Sequence, residues 1–106
     1  MVGRIWEIGI DPAAASRFEA FAAEWALPMV RGRMGCSAVH VLRDAAVPGR
    51  YAWVTLWLSR KALAVAAASP EWEEARRRFA EFGVAFELEQ ARAFDSVASF
   101  RGGENG

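Results

Sequence analysis

The spacing of apolar residues along the chain switches between two periods. Val2 to Ile10, with apolar Val2, Ile5, Trp6, Ile8 and Ile10, reads as a strand, with Gly3 and Gly9 as weak points. Asp11-Pro12 follows, a capping residue ahead of a proline whose fixed φ suits the first helical position. From Ala13 the pattern becomes helical: Phe18, Phe21, Trp25 and Met29 recur at intervals of three and four, which predicts a helix. Pro28 is expected to kink or end it, and Gly32 and Gly35 punctuate the exit. Cys36 to Arg43 reads as a second strand. The turn-rich DAAVPG then leads to a third strand, Tyr51 to Leu58, so strands two and three form a hairpin.

Ser59 is placed to cap a short alanine-rich helix through Ala68, and Ser69-Pro70-Glu71 restarts it with a cap, a proline and an acid in the first turn. Trp72, Ala75, Phe79 and Phe82 share one face of that second piece, and Glu73, Glu74, Arg77 and Arg78 lie largely off it. Gly83 suits a C-cap. Leu88 to Ser99 contains a fourth strand, and RGGENG reads as a polar, disordered tail. The order β-α-β-β-α-β predicts an α+β, ferredoxin-like domain over residues 1–100, with a tail at 101–106. Its four-stranded antiparallel sheet carries helices on one side, so the other side meets water or a partner.

The third strand, YAWVTLWLS, frames that question. Ala52, Val54, Leu56 and Leu58 on one side look like an ordinary face packed on helices. Tyr51, Trp53, Thr55 and Trp57 on the other look too aromatic for water, and a second copy of the sheet is the expected cover. Composition strengthens the expectation. The chain is 54% hydrophobic, with five Trp and seven Phe, each able to bury roughly 150–250 Å². That surplus reads as a dimer interface beyond the core of one subunit.

Charge and chemistry then narrow the classes. Thirteen basic residues balance thirteen acidic ones, which argues against electrostatic binding to nucleic acid or membrane. With one cysteine, Cys36, and one histidine, His40, neither an internal disulfide nor a Cys/His zinc site within one chain is expected. No apolar run reaches membrane-spanning length and no signal-peptide layout occurs, so a cytoplasmic protein is expected. Phosphate loops, nucleophile elbows and metal motifs do not occur either.

In order along the chain, the DP after the first strand, MGCSAVHVLRD, the PGRY hairpin, VTLWLSRKAL and ASPEW resemble a known family. It is the antibiotic biosynthesis monooxygenase domain of the dimeric α+β barrel superfamily. Most telling is a strand ending in Trp57, then Ser59, Ala62-Leu63 and Ser69-Pro70. The resemblance implies a homodimer whose two sheets face each other as a barrel, and an apolar pocket in each subunit between sheet and helices. Members of the family that the chain resembles include cofactor-independent oxygenases of phenolic or anthrone-like polyketides, quinol-oxidising enzymes and heme-degrading enzymes, alongside relatives with no assigned reaction, so fold membership does not settle the chemistry. The heme-degrading branch uses an Asn in the first strand and a Trp and a His on the second helix. The counterparts here are Trp6, Ala66 and Arg76, which disfavours heme degradation. A His common in relatives just before the Ser-Pro step also falls at Ala66, so any histidine chemistry rests on His40.

Among candidate residues, Trp57 matches the family's strand-end Trp. It either stacks on a flat substrate, worth ~1 kcal/mol beyond its buried area, or anchors the barrel end, the role favoured here. Trp53 and Tyr51 share its face and are expected to pack in the dimer as well as to meet substrate, while Trp6 suits a pocket wall or the core. Histidine is the side chain type whose unperturbed pKa lies near neutrality, and beside an apolar cavity His40 would accept a proton from a phenol or activated methylene. Alternation groups it with Ala38 and Leu42, against Val39 and Val41, and leaves its side open. Arg4, Glu7 and Arg43 are strand charges, solvated or paired by default, although an arginine suits a phenolate or carboxylate. Arg76 to Arg78 lie among Glu71, Glu73, Glu74 and Glu81 at spacings that favour local pairs, and Cys36 suits a small buried residue.

The expectation is a homodimeric monooxygenase-like domain without metal, heme or flavin. Trp6, Trp53, Trp57 and Tyr51 would hold a small aromatic, polyketide-type or quinol substrate, and His40 would assist its deprotonation. The competing expectation is a non-catalytic dimeric module of the same fold, binding a small apolar ligand or serving as a structural partner.

Overall fold

A computed structural model describes residues 1–84 and 92–100 of the chain. Strands β1 (Val2–Gly9), β2 (Cys36–Arg43), β3 (Arg50–Trp57) and β4 (Arg92–Asp95) form one antiparallel sheet in the order β2-β3-β1-β4. Helical segments follow β1 and β3, which gives the ferredoxin-like α+β arrangement. The fourth strand falls inside the expected window. The part of that window before Arg92, and the tail at 101–106, lie outside the described residues. Among the described residues no helix is long and apolar enough to cross a membrane.

Each helical run starts on the residue its sequence nominated. Asp11 Oδ1 accepts the Ala13 N–H at 3.0 Å, opening a 3-10 turn (Pro12–Ala14) that leads into α1 (Ala15–Phe21). Ser59 Oγ accepts the Ala62 N–H at 3.1 Å ahead of α3 (Arg60–Ala67). Ser69 Oγ accepts the Trp72 N–H at 3.4 Å ahead of α4 (Pro70–Ala80), while its hydroxyl donates to the Ala66 carbonyl at 2.6 Å.

Pro28 does not end the first helical run, contrary to expectation. A π-turn (Ala22–Ala26) follows α1, and its wider register brings the Leu27 N–H back onto the Ala22 carbonyl. Pro28 then enters the first turn of α2 (Leu27–Arg31), where a missing N–H costs nothing.

The two faces of β3 are the reverse of the expectation. The register sets Trp53 between Trp6 of β1 and Val41 of β2, and Tyr51 between Ile8 and Arg43. This face lies under the helices, where Trp57, Tyr51 and Trp53 are 0%, 2% and 4% exposed within the single chain. Phe18 of α1 meets Tyr51 at 4.9 Å between ring centroids, Phe79 of α4 meets Trp53 at 5.5 Å, and Trp72 meets Trp57 at 6.2 Å. Large rings fill the wide, uneven space between a sheet and curved helix surfaces, which short aliphatic side chains leave void. Much of the Trp and Phe surplus thus packs inside one chain, while Phe94 and Phe100 stay exposed. Ala52, Val54 and Leu56, expected against the helices, instead share the uncovered face with Ile5, His40 and Leu42.

The β2–β3 link is tied down at Gly49, whose φ of 84° leaves the region open to most residues. Its carbonyl accepts the Ile10 N–H at 2.8 Å, and a Cβ there would lie 2.4 Å from the Ile10 oxygen.

Candidate functional site

Where the first helical run crosses β2 and β3, the packing leaves a groove of about 260 Å³. Its walls are Ala22 and Ala23 of the π-turn, Leu27 of α2 and Val41 of β2. The two alanines fail to fill the space that the larger side chains fill elsewhere under the helices. β2 is an outer strand, so the groove opens at the sheet's edge.

One end of the groove is polar, assembled from three elements. Tyr51 of β3 donates its hydroxyl to Glu19 Oε2 at 2.7 Å. Arg43 of β2 donates from Nε to the same oxygen at 2.9 Å and from Nη2 to Oε1, a bidentate pair. Arg43 and Tyr51 are cross-strand partners, which is why both reach the same carboxylate on α1. Hydrogen bonds from Arg43 and then Tyr51 pull the Glu19 carboxyl down to about 2. Burial, reinforced by Glu19, raises the Tyr51 phenol, and the same carboxylate raises Arg43. Near neutrality this end therefore holds a carboxylate, a guanidinium and a protonated phenol. A guanidinium carries five N–H groups. Beyond those bound to Glu19, Arg43 offers further donors from a side chain 67% exposed. A smaller hollow of about 110 Å³ shares Arg43 and Tyr51 and runs toward Asp44 and Arg50 at the hairpin end.

Of the residues nominated as substrate-binding, Tyr51 lines this groove, and Trp6, Trp53 and Trp57 do not. Trp6 sets its ring edge-on to Phe79 at 5.4 Å within the core. Trp57 packs with Val30, Ala66 and Trp72, and its indole N–H donates to Thr55 Oγ1 at 3.0 Å. The Trp53 indole N–H is buried with no hydrogen-bond acceptor among the described residues.

His40 stands on the uncovered side of the sheet, exposed and opposite Val54. The sequence leaves its side open; in the sheet, strand alternation turns His40 one way and Val41, which lines the groove, the other. Arg4 is buried on the helix-facing side opposite Thr55, and desolvation lowers its guanidinium. Cys36 is half-buried and packs against the Trp57 cluster, and burial raises its thiol. Glu73 pairs with Arg76, and Glu74 with Arg77 and Arg78, as their spacing predicted.

Glu19 was not a candidate in the sequence. It lies 24 residues from Arg43, and no local periodicity links them. The hairpin register, which pairs Arg43 with Tyr51, was the one available signal.

The same fold recurs among solved structures. A candidate antibiotic biosynthesis monooxygenase of Deinococcus radiodurans superposes with a TM-score of 0.80 at 18% identity, covering 95% of this chain and 97% of that one. Another, from Bordetella bronchiseptica, gives 0.74 at 26% identity, covering 92% and 97%. SnoaB, a cofactor-independent oxygenase of Streptomyces nogalater, gives 0.74 at 15% identity, covering 92% and 94%. Among curated proteins nothing matches the chain. The family model for antibiotic biosynthesis monooxygenase matches residues 1–78. The chain belongs to the antibiotic biosynthesis monooxygenase family.

Proposed function

We propose that the protein is a cofactor-independent oxygenase of a small, electron-rich aromatic of polyketide or quinol type, bound in the groove beside Tyr51 and Arg43. The observation that carries this reading is the groove itself, with apolar walls and a polar end whose spare groups are the N–H donors of Arg43. The small side chains of Ala22 and Ala23 leave room for a ring between the π-turn and the sheet. An Arg43 N–H on a substrate oxygen would stabilise the anion formed on deprotonation and bring that acidity toward neutrality. The open mouth lets the proton leave to water. The anion then passes one electron to dioxygen, and the resulting radical and superoxide combine to a hydroperoxide. Loss of water leaves a carbonyl, so one CH2 group and O2 become C=O and H2O. The substrate supplies the electrons, and no cofactor enters the balance.

The same reading makes the protein a cytoplasmic homodimer joined through the uncovered sheet face. Ile5, Leu42 and Phe94 are 38%, 51% and 40% exposed there, beside Val54 and Leu56. An apolar face of this kind on an antiparallel sheet is what a second sheet covers.

A second reading, a non-catalytic ligand-binding module, is favoured by one specific observation. The interior is filled by the chain's own rings, and the groove holds no group that titrates near neutrality. Oxygen uptake with a panel of anthrones and quinols separates the two. The oxygenase reading expects uptake above buffer, a loss of roughly 10²-fold in kcat/KM for Arg43→Gln, and an unchanged rate for His40→Ala. No uptake with any member favours the module. Loss in His40→Ala with full activity in Arg43→Gln moves the chemistry to the other face.

A further inference from the structure

We propose that Glu19 is a specificity-determining residue that neutralises Arg43, so that the groove takes a flat aromatic ending in a neutral acceptor, a ketone or quinone oxygen, in preference to a carboxylate. This deepens the reading of the groove as the substrate site and rests on it. An isolated arginine at the end of an apolar slot would favour a carboxylate, because guanidinium and carboxylate match bidentately. Here that bidentate geometry is already occupied by the chain's own carboxylate, on Nε and Nη2. What remains for a ligand are single N–H donors of a charge-balanced pair. The Tyr51 hydrogen is committed to Glu19 as well. The site therefore offers donors without net positive charge.

The surroundings lean the same way. The adjoining hollow carries Asp44 and Arg50, one of each sign, together with Glu7. Glu7 belongs with Ala52 on the uncovered side, so around this end of the groove Glu19 and Asp44 balance Arg43 and Arg50. A carboxylate ligand would displace Glu19 from Arg43 or stand beside it unpaired, and either costs binding. A neutral carbonyl oxygen accepts a spare N–H without disturbing the pair.

The test uses three probes on one ring system: 1-acetylnaphthalene as the neutral acceptor, 1-naphthoate as the carboxylate and 1-ethylnaphthalene with no acceptor. Dissociation constants are measured under argon at neutral pH, so turnover plays no part. The wild-type protein is expected to bind the ketone about tenfold tighter than either other probe. Glu19→Gln, which keeps an acceptor for Tyr51, is expected to tighten naphthoate about tenfold and to leave the ketone nearly unchanged. Arg43→Met, at an exposed position where folding is not at stake, is expected to bring the ketone down to the level of ethylnaphthalene.

The inference is overturned if wild type binds naphthoate as tightly as the ketone, or binds none of the probes saturably. It also fails if Glu19→Gln leaves their ratio unchanged or Arg43→Met keeps the ketone preference. The expected selectivity in a protein that takes up no oxygen supports this inference and removes only the oxygenase reading. Oxygen uptake without the selectivity does the converse.

Discussion

The two faces of this sheet are both rich in apolar residues and do different things with them. The helix-facing side holds Trp6, Trp53 and Trp57, edge-on to Phe79 or Trp72, and Tyr51, tilted against Phe18. The uncovered side holds Ile5, Val54, Leu56 and Leu42, with His40 among them. Rings sit where a deep and irregular volume must be filled, and aliphatic side chains sit on the flatter surface. On this sheet Trp and Tyr therefore mark the interior of one chain, and residual exposure, Phe94 included, marks the surface left for a partner. The groove lies on the helix-facing side, beside Ala22 and Ala23 of the π-turn.

The largest expected effects come from the filled face. Trp57→Ala and Phe18→Ala each empty a fully buried ring position and are expected to cost about 3–5 kcal/mol in chemical denaturation. Val54→Ala on the uncovered face, tested as isolated monomer, is expected to cost under about 1.5 kcal/mol. Equal losses on the two faces would dissolve the distinction. Next, Val54→Asp places a charge in the middle of the uncovered face. Sedimentation is expected to show the proposed dimer converted to monomer at micromolar concentration, with near-UV circular dichroism unchanged. An unfolded Val54→Asp protein would mean that this face belongs to the core.

The smallest effect is a pH dependence. Glu19 has its carboxyl lowered from 4.5 to about 2 by Arg43 and Tyr51. Within that interval the unfolded chain binds the proton and the folded chain does not, so stability falls as pH drops from about 4.5 toward about 2. In Glu19→Gln the acid limb of the melting temperature is expected to be shallower across this window, with the difference gone below it. Identical limbs in the two proteins would deny the three-residue network a role in holding helix to sheet.

Local chemistry made most of the fold legible. Asp11, Ser59 and Ser69 each announced a helix start, and each accepts the predicted backbone N–H. Alternation grouped Tyr51 with Trp53 and Trp57, and His40 with Ala38 and Leu42, as the sheet register has them. Alternation assigns residues to a common face without saying which face is inside, and where both are apolar the sign stays open. That is how the faces of β3 came out reversed. Pro28 misled for a different reason: a proline breaks the usual register, and the π-turn upstream changes the register before it arrives. The site was legible only in part. Tyr51 and Arg43 were visible as strand residues, but Glu19 joins them through tertiary packing, and no spacing within a helix encodes that.

The most direct test of the account is amide chemical-shift mapping of the wild-type protein titrated with 1-acetylnaphthalene. Shifts confined to Ala22, Ala23, Leu27, Val41 and Tyr51 are the predicted result. Shifts centred on Ala38, His40 and Val54, with the groove unmoved, would place the ligand on the opposite side of the sheet and contradict the account.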